Sequence, residues 1–119
     1  MTTARELGPA AAIAPGEHAV FDLGNRQIGI FNVDGEYYAL PNACFHQNGP
    51  LCRGLVRGTV MADEDSGWKR EWRLDGEVVV CPWHALEFHI KTGRCIAYPR
   101  RSLPTYPVTV RDGTLVVEV

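Results

Sequence analysis

Two pairs of cysteine and histidine residues in this sequence of 119 residues have the types and spacing that suit metal chemistry. The pairs are Cys44 with His46 and Cys81 with His84. Thiolate and imidazole are ligands that suit zinc, copper and iron–sulfur clusters. Gly49-Pro50 follows the first pair and Pro82 lies inside the second, and both signals are typical of loops. The sequence therefore predicts two loops that each supply one thiol and one imidazole.

Two kinds of metal site fit two cysteines and two histidines. One is a structural zinc site with tetrahedral Cys₂His₂ coordination. The other is a [2Fe–2S] cluster in which two histidines replace two cysteines on one iron. The four residues could also have no ligand role, but two pairs at ligand spacing rarely coincide by accident. The residue types alone leave zinc and iron–sulfur both open.

The residues that flank the two pairs carry a family resemblance. The chain reads CFHQNGPL over residues 44–51 and CPWHALEF over residues 81–88, and Thr92-Gly93 follows. These segments resemble the two cluster loops of the Rieske [2Fe–2S] family, in which ligands, prolines and the downstream Thr-Gly fall in the same order. The resemblance extends from about Ile13 to the C-terminus and favours one iron–sulfur cluster over zinc.

The resemblance also implies a ligand set and a charge. Cys44 and Cys81 would hold one iron, and His46 and His84 would hold the other and face solvent. Two ferric ions, two sulfides, two thiolates and two neutral imidazoles sum to zero net charge, so an added electron meets a neutral centre. A four-thiolate cluster is already negative when oxidised. The potential should therefore lie above that of plant-type ferredoxins, which is about −400 mV.

Four residues near the ligands are expected to tune or cover the cluster: Trp83, Leu86, Phe88 and Pro99. High-potential Rieske proteins carry hydroxyl donors at the positions of Leu86 and Phe88, so their absence predicts a potential near the low end of the range, about −150 mV. Trp83 would shield the cluster or touch a partner. Pro99 falls where the family has a covering loop, and the arginines beside it are expected to be solvated rather than to bind a partner.

The chain departs from the family pattern at two places. Ala85 stands where a glycine usually follows the second histidine, and it should tighten the approach of the backbone to the cluster. Residues 47–80 make the spacer between the loops about twice as long as in small Rieske ferredoxins. Apolar runs on either side of the polar segment 63–67 predict that residues 57–80 form an extra β-hairpin, within which Asp75-Gly76 makes a further turn. Trp68 and Trp72 on this hairpin are expected to pack in the core.

Composition predicts an ordinary globular protein. The hydrophobic fraction is 45%, the charged fraction 22% and the net charge −2, so neither a nucleic acid nor a membrane is an expected partner. The N-terminal residues resemble no secretory signal, which favours a cytoplasmic protein. Cys52 and Cys95 lie outside the motif and are expected to be free thiols in a reducing compartment. His18 and His89 are expected at the surface rather than as ligands.

Short apolar runs separated by turn signals predict the fold. Gln27 to Val33 alternates between two faces, Asp34-Gly35 and Asp112-Gly113 are strong hairpin signals, and no segment has a sustained helical period. We expect an all-β, antiparallel sandwich or barrel of the Rieske type, with a smaller cluster-binding subdomain carrying both ligand loops. Residues 1–119 should form one domain, in which the subdomain spans about residues 43–98.

The function that this reading favours is one-electron transfer by a soluble, low-potential Rieske-type ferredoxin with one [2Fe–2S] cluster and no catalytic residues. Its partners would be a flavoprotein reductase and an oxygenase-like acceptor. One alternative is an accessory subunit of an oxidoreductase, such as the small subunit of nitrite reductase, which shares the fold. Another is a zinc-stabilised structural or interaction module.

Overall fold

The computed structural model describes residues 3–44, 49–83 and 85–119, which form nine strands and two single-turn 3₁₀ helices. The strands are β1 Ala4–Pro9, β2 His18–Asp22, β3 Gln27–Val33, β4 Glu36–Pro41, β5 Leu55–Met61, β6 Glu71–Val80, β7 Glu87–His89, β8 Val108–Arg111 and β9 Thr114–Glu118, and the 3₁₀ helices are Ala10–Ala12 and Leu51–Arg53. The described residues contain no α-helix, and none of their helices is long and apolar enough to cross a membrane. The all-β prediction is confirmed.

The strands form three antiparallel sheets of three strands each. Their orders are β1-β9-β8, β2-β3-β4 and β5-β6-β7. The first two sheets meet where the amide of Tyr106 donates a hydrogen bond of 3.2 Å to the carbonyl of Ala39. Strands β5 and β6 of the third sheet lie between the two ligand loops in the sequence, and the second loop connects β6 to β7.

Strand β3 is buried on both faces and joins two hydrophobic cores. Ile28 and Ile30 point into one core with β9, which we call the base core. Phe31 and Val33 belong to the other, which also contains Cys44, Cys81 and buried residues of β4, β6 and β7; we call it the loop core. The alternation predicted for residues 27–33 is confirmed, because neighbouring residues of a strand point to opposite faces.

Two tight turns agree with their sequence signals. Asp34 and Gly35 have φ values of 52° and 91°, and Asp112 and Gly113 have φ values of 50° and 78°. Positive φ at both central residues is the requirement of a type I′ turn, whose twist matches that of the flanking strands. These turns connect β3 to β4 and β8 to β9.

The predicted extra hairpin is confirmed, but its internal turn is not. Strands β5 and β6 pair along their length, and residues 74–77 form a bulge opposite the single residue Gly58. The Asp75-Gly76 turn was therefore the wrong interpretation of this segment. A Cβ atom at Gly58 would lie 2.5 Å from the carbonyl oxygen of Arg73, so the bulge closes onto a position that has no room for a side chain.

The core position predicted for two tryptophans is wrong. Trp68 lies in the turn of the hairpin and is 71% exposed, and Trp72 on β6 is 52% exposed. The hairpin extends beyond β7, which pairs only with residues 78–80 of β6, so no third strand among the described residues continues alongside its tip. Trp72 is held at the surface by a hydrogen bond of 3.0 Å from its Nε1 to Oδ1 of Asp75.

Strand β1 has no signature in the sequence. Its segment ARELGP lacks an alternating apolar pattern, and the pairing slips between Glu6 and Gly8. The strand forms because β9 offers a free edge, to which residues 4–9 add main-chain hydrogen bonds.

The two cysteines outside the motif are free thiols, as predicted. Both are completely buried. Cys52 Sγ lies 3.4 Å from the carbonyl oxygen of Pro41, and burial raises the pKa of this thiol to about 12. A thiol with such a pKa stays protonated at neutral pH, and thiols react as thiolates.

We predict that Cys52 and Cys95 resist a thiol reagent in the folded protein at pH 8 and react after unfolding without reductant. Burial blocks access in the first state and no disulfide blocks reaction in the second. Mass mapping of alkylated peptides measures both, and Cys52→Ala and Cys95→Ala should each remove one modified site. Recovery of the two cysteines as one linked peptide pair would contradict the prediction.

Candidate metal centre

The two predicted ligand cysteines lie close to strand ends. Cys44 follows β4 by three residues, and Cys81 comes directly after β6. Both side chains are completely buried in the loop core, which also contains Cys52 and Cys95. Two separated parts of the sequence thus deliver a thiol each to the same interior region.

Gly49 of the first loop lies at the contact between the two loops. The amide of Cys44 donates a hydrogen bond of 2.9 Å to the carbonyl of Gly49, which sets the width of the first loop. A Cβ atom at Gly49 would lie 2.9 Å from Cys81 Sγ and 3.2 Å from the indole of Trp83. The backbone of the first loop therefore packs directly against the thiol of the second. The Gly-Pro signal marked this position as a turn, but its contact with Cys81 is a feature of the tertiary structure.

The second loop is closed by two main-chain hydrogen bonds. The amide of Cys81 donates to the carbonyl of Leu86 at 2.8 Å, and the amide of Ala85 donates to the carbonyl of Cys81 at 2.9 Å. Ala85 has φ = 57°, in the left-handed region that favours glycine. A side chain in this region costs about 1–2 kcal/mol. The substitution of the usual glycine thus leaves the turn in place and adds strain to it.

The histidine partners predicted for these cysteines, His46 and His84, lie outside the described residues, so the four-ligand set stays a prediction. The remaining histidines contact other groups and are half-buried rather than at the surface. His18 stacks on Phe31 with ring centroids 5.0 Å apart, and burial lowers its pKa. His89 contacts Glu77 at 3.0 Å, which lowers the pKa of that carboxyl. Within residues 3–44, 49–83 and 85–119, no group of three or more metal-binding side chains forms.

The four residues predicted to tune or cover the centre occupy different environments. Phe88 is completely buried in the loop core, and Leu86 packs against this core from its edge. Trp83 is 59% exposed although its ring lies against Gly49. Pro99 is exposed in the loop that follows Cys95. Apolar groups therefore flank the thiols from inside, and an aromatic ring faces solvent beside them.

This arrangement fits a metal–sulfur centre. Thiolates bind metals, and they are stable in a buried site when a metal supplies the opposing charge. The contact of Gly49 with Cys81 shows that the first loop approaches the second thiol without an intervening side chain. The described side chains include no hydroxyl donor at positions 86 and 88. The fold is that of a small all-β protein, and two buried thiols in contacting loops are the arrangement expected of a metal–sulfur protein.

Comparison with known families identifies the class more closely. Residues 4–107 match the Rieske [2Fe-2S] domain family, and the chain belongs to this family. The match begins at β1, which is earlier than the start near Ile13 that the motifs indicated. The family carries one [2Fe–2S] cluster, which agrees with two buried thiols in one core.

Proteins of similar length that match this chain include two ferredoxins and a nitrite reductase small subunit. The chain is 31% identical to the 3-phenylpropionate/cinnamic acid dioxygenase ferredoxin subunit of Escherichia coli strain K12 over 112 residues, which is 93% of this chain and 89% of the relative. A Sphingomonas yanoikuyae B1 ferredoxin superposes with a TM-score of 0.71 at 28% identity, covering 98% of this chain and 99% of that one. A Mycobacterium tuberculosis protein described as an NADH-dependent nitrite reductase small subunit has a TM-score of 0.74 at 22% identity, covering 100% and 96%.

We predict that Ala85→Gly stabilises the second loop. Glycine removes the cost of the left-handed conformation, about 1–2 kcal/mol, and adds an entropic cost of roughly 0.5–1 kcal/mol. A net gain of about 0.5–1 kcal/mol should raise the midpoint temperature of cluster loss by about 2–5 °C. The midpoint is measured from the visible absorbance at a fixed heating rate. Ala62→Gly is the control, because Ala62 is exposed and has no positive φ. An unchanged or lower midpoint for Ala85→Gly would refute the strain argument.

Proposed function

We propose that this protein carries single electrons between two redox proteins and catalyses no reaction on a substrate. The observation that supports this most directly is the contact of the two buried thiol loops at Gly49 in a chain of the Rieske family. The relative that is 31% identical along most of its length is named as a ferredoxin subunit of a dioxygenase. By this analogy the partners are a flavoprotein reductase and an oxygenase-like acceptor.

The proposed ligands are Cys44 and Cys81 for one iron and His46 and His84 for the other. When bound, the cluster supplies a site that accepts and releases one electron. The residues of the chain provide the surroundings of the cluster. The loop core keeps water from the two thiols, and the indole of Trp83 lies against Gly49 of the first loop. Free thiols at Cys52 and Cys95 favour a reducing compartment, and we place the protein in the cytoplasm.

The ligand set can be tested with matched cysteine variants, since all four cysteines are buried. We expect Cys44→Ser and Cys81→Ser to lose iron and acid-labile sulfide, because a hydroxyl is a poor substitute for a soft thiolate ligand. Cys52→Ser and Cys95→Ser should keep iron and sulfide in protein whose circular dichroism spectrum shows that it is folded. His46→Ala and His84→Ala should also lose the cluster.

The same metal analysis separates the zinc alternative. Wild-type protein purified without oxygen that contains stoichiometric zinc, with neither iron nor sulfide, would overturn the proposed function. The likeness to the nitrite reductase small subunit, at 22% identity, shows the shared fold alone, whereas the relative that is 31% identical is named as a ferredoxin subunit, which favours the carrier role.

The environment of the thiols supports a low reduction potential. Leu86 and Phe88 belong to or line the core that contains Cys44 and Cys81, and neither carries a hydroxyl that could donate a hydrogen bond to sulfur. Hydrogen bonds to cluster sulfurs stabilise the reduced state, because they offset the added negative charge. We propose a potential of about −150 mV, near the low end of the Rieske range.

We predict that Leu86→Ser and Phe88→Tyr each raise the potential. A hydrogen bond to a charged group contributes about 1.5–3 kcal/mol, and a one-electron couple shifts by about 59 mV for each tenfold change in the equilibrium constant. The upper expectation is therefore a rise of about 60–130 mV per hydroxyl, measured by protein-film voltammetry. Leu86→Ala and Phe88→Leu control for the loss of packing. A wild-type potential in the high positive range would contradict the proposal.

A further inference from the structure

One segment of the chain is basic although the whole protein is acidic. Between Glu87 and Asp112 the sequence contains no acidic residue, and its cations are Lys91, Arg94, Arg100, Arg101 and Arg111. The net charge of the chain is −2. Positive charge is therefore concentrated in the part of the chain that follows the second ligand loop.

The centre of this segment, residues 96–101, is fixed beside the loop core. We call it the basic loop. The amide of Ile96 donates to the carbonyl of Glu87 at 2.9 Å, and Cys95, which precedes the loop, is buried with the two ligand cysteines. The amide of Arg101 donates to the carbonyl of Tyr98 at 2.8 Å and closes the turn. The basic loop is thus attached to the strand that leaves the second ligand loop.

The acidic groups of β7, to which the basic loop is bonded, and of the adjoining part of β6 are already compensated. Glu87 pairs with Arg57 at 3.4 Å. Glu77 contacts both His89 and Lys91, which compensates Lys91 as well. Arg94 and Arg100 are exposed, and no described carboxylate pairs with either of them. The two arginines therefore contribute net positive charge to this face.

Two exposed aromatic rings accompany the charge. Tyr98 in the basic loop is 56% exposed, and Trp83 in the second ligand loop is 59% exposed. A shallow apolar groove runs along residues 97–101. Aromatic and arginine side chains are enriched at the energetic centres of protein interfaces. The two arginines and the two rings thus lie on segments that are joined through β7. The second ligand loop leads into this strand, Ile96 of the basic loop bonds to it, and the amide of His89 donates to the carbonyl of Arg94 at 2.8 Å.

We infer that this face, formed by the basic loop, Arg94 and Trp83, binds a protein partner through an acidic surface with an apolar centre. This inference rests on the proposed function and specifies the partner's chemistry. The complementary charges would increase the rate of encounter and orient the partner at the thiol loops, while the rings supply short-range contact. The sequence alone favoured a solvated loop; the structure adds the compensated carboxylates and the exposed rings.

Small charged oxidants test the sign of this face without knowledge of the partner. Reduced holoprotein gives one electron to ferricyanide, which becomes ferrocyanide, and no bond or proton is exchanged. Stopped-flow rates are measured against ionic strength with ferricyanide as the anionic probe and cobalt(III) tris-phenanthroline as the cationic one. We expect the ferricyanide rate to fall as salt is added, although the net charge of the protein predicts the opposite.

Charge reversal locates the effect. At low ionic strength Arg100→Glu should reduce the ferricyanide rate by about threefold to tenfold, because the electrostatic increase in on-rate is about 10-fold to 1000-fold for a whole charged face. Arg70→Glu changes the net charge equally and is the matched control. Arg70 is exposed and precedes β6 at the end opposite Cys81, and the paired segment 55–61 separates these ends by about 20 Å. The two variants are compared again at 0.1 M salt, where the screening length of about 10 Å is shorter than this separation.

A peptide titration tests the face without electron transfer. Oxidised, ¹⁵N-labelled holoprotein is titrated with an oligoglutamate peptide at low salt, and we expect amide shifts in residues 96–101 that Arg100→Glu removes and Arg70→Glu keeps. Shifts absent from these residues would overturn the inference, as would equal rate effects of the two variants or a ferricyanide rate that rises with salt. Self-association at low salt that Arg100→Glu abolishes would instead assign the face to a second copy.

These outcomes separate the inference from the proposed function. A cluster-containing protein that transfers no electron to either oxidant would overturn the carrier function, and the peptide titration would still decide the charge of the face. Electron transfer with the wrong salt dependence would leave the carrier function standing and overturn only the acidic partner.

Discussion

The approach of Gly49 to the thiol of Cys81 is the contact on which the site depends. It brings the backbone of one loop against the sulfur of the other, and a single added carbon would fall 2.9 Å from that sulfur. Loops of this kind have little internal structure, so their spacing must come from the elements that carry them. Main-chain hydrogen bonds from Cys44 and Cys81 within each loop then keep the two thiols in place.

Strand β3 connects the loops to the rest of the fold. This strand places Ile28 and Ile30 in the base core and Phe31 and Val33 in the loop core, so the two cores share one backbone. Burial of both faces makes the strand's register strict, since a shift by one residue would exchange the two sets. The site therefore rests on a support whose position is set by packing on both sides.

Charge and exposure are distributed unevenly around this support. The long hairpin extends Trp68 and Trp72 away from the thiols, and its turn is stabilised by contacts of Asp63 with Arg73 and Ser66. At the other end, buried apolar groups surround the thiols and the basic loop lies beside them. A protein with a small negative net charge can thus present a positive face at its functional end, because electrostatic interactions at protein surfaces are local.

The sequence by itself determined the features that depend on neighbouring residues: the paired Cys-His motifs, the Asp34-Gly35 turn and the alternation of β3. Only the tertiary structure decided features that join distant segments. Strand β1 exists because β9 offers it an edge, and the bulge opposite Gly58 replaces the expected Asp75-Gly76 turn. Trp72 is exposed because, in the part of the chain that the structure describes, no further strand pairs with the hairpin tip. Local sequence patterns specify the backbone conformation that a segment prefers. Whether a side chain is buried depends on which distant segments pack against it, and this is decided by the whole sequence.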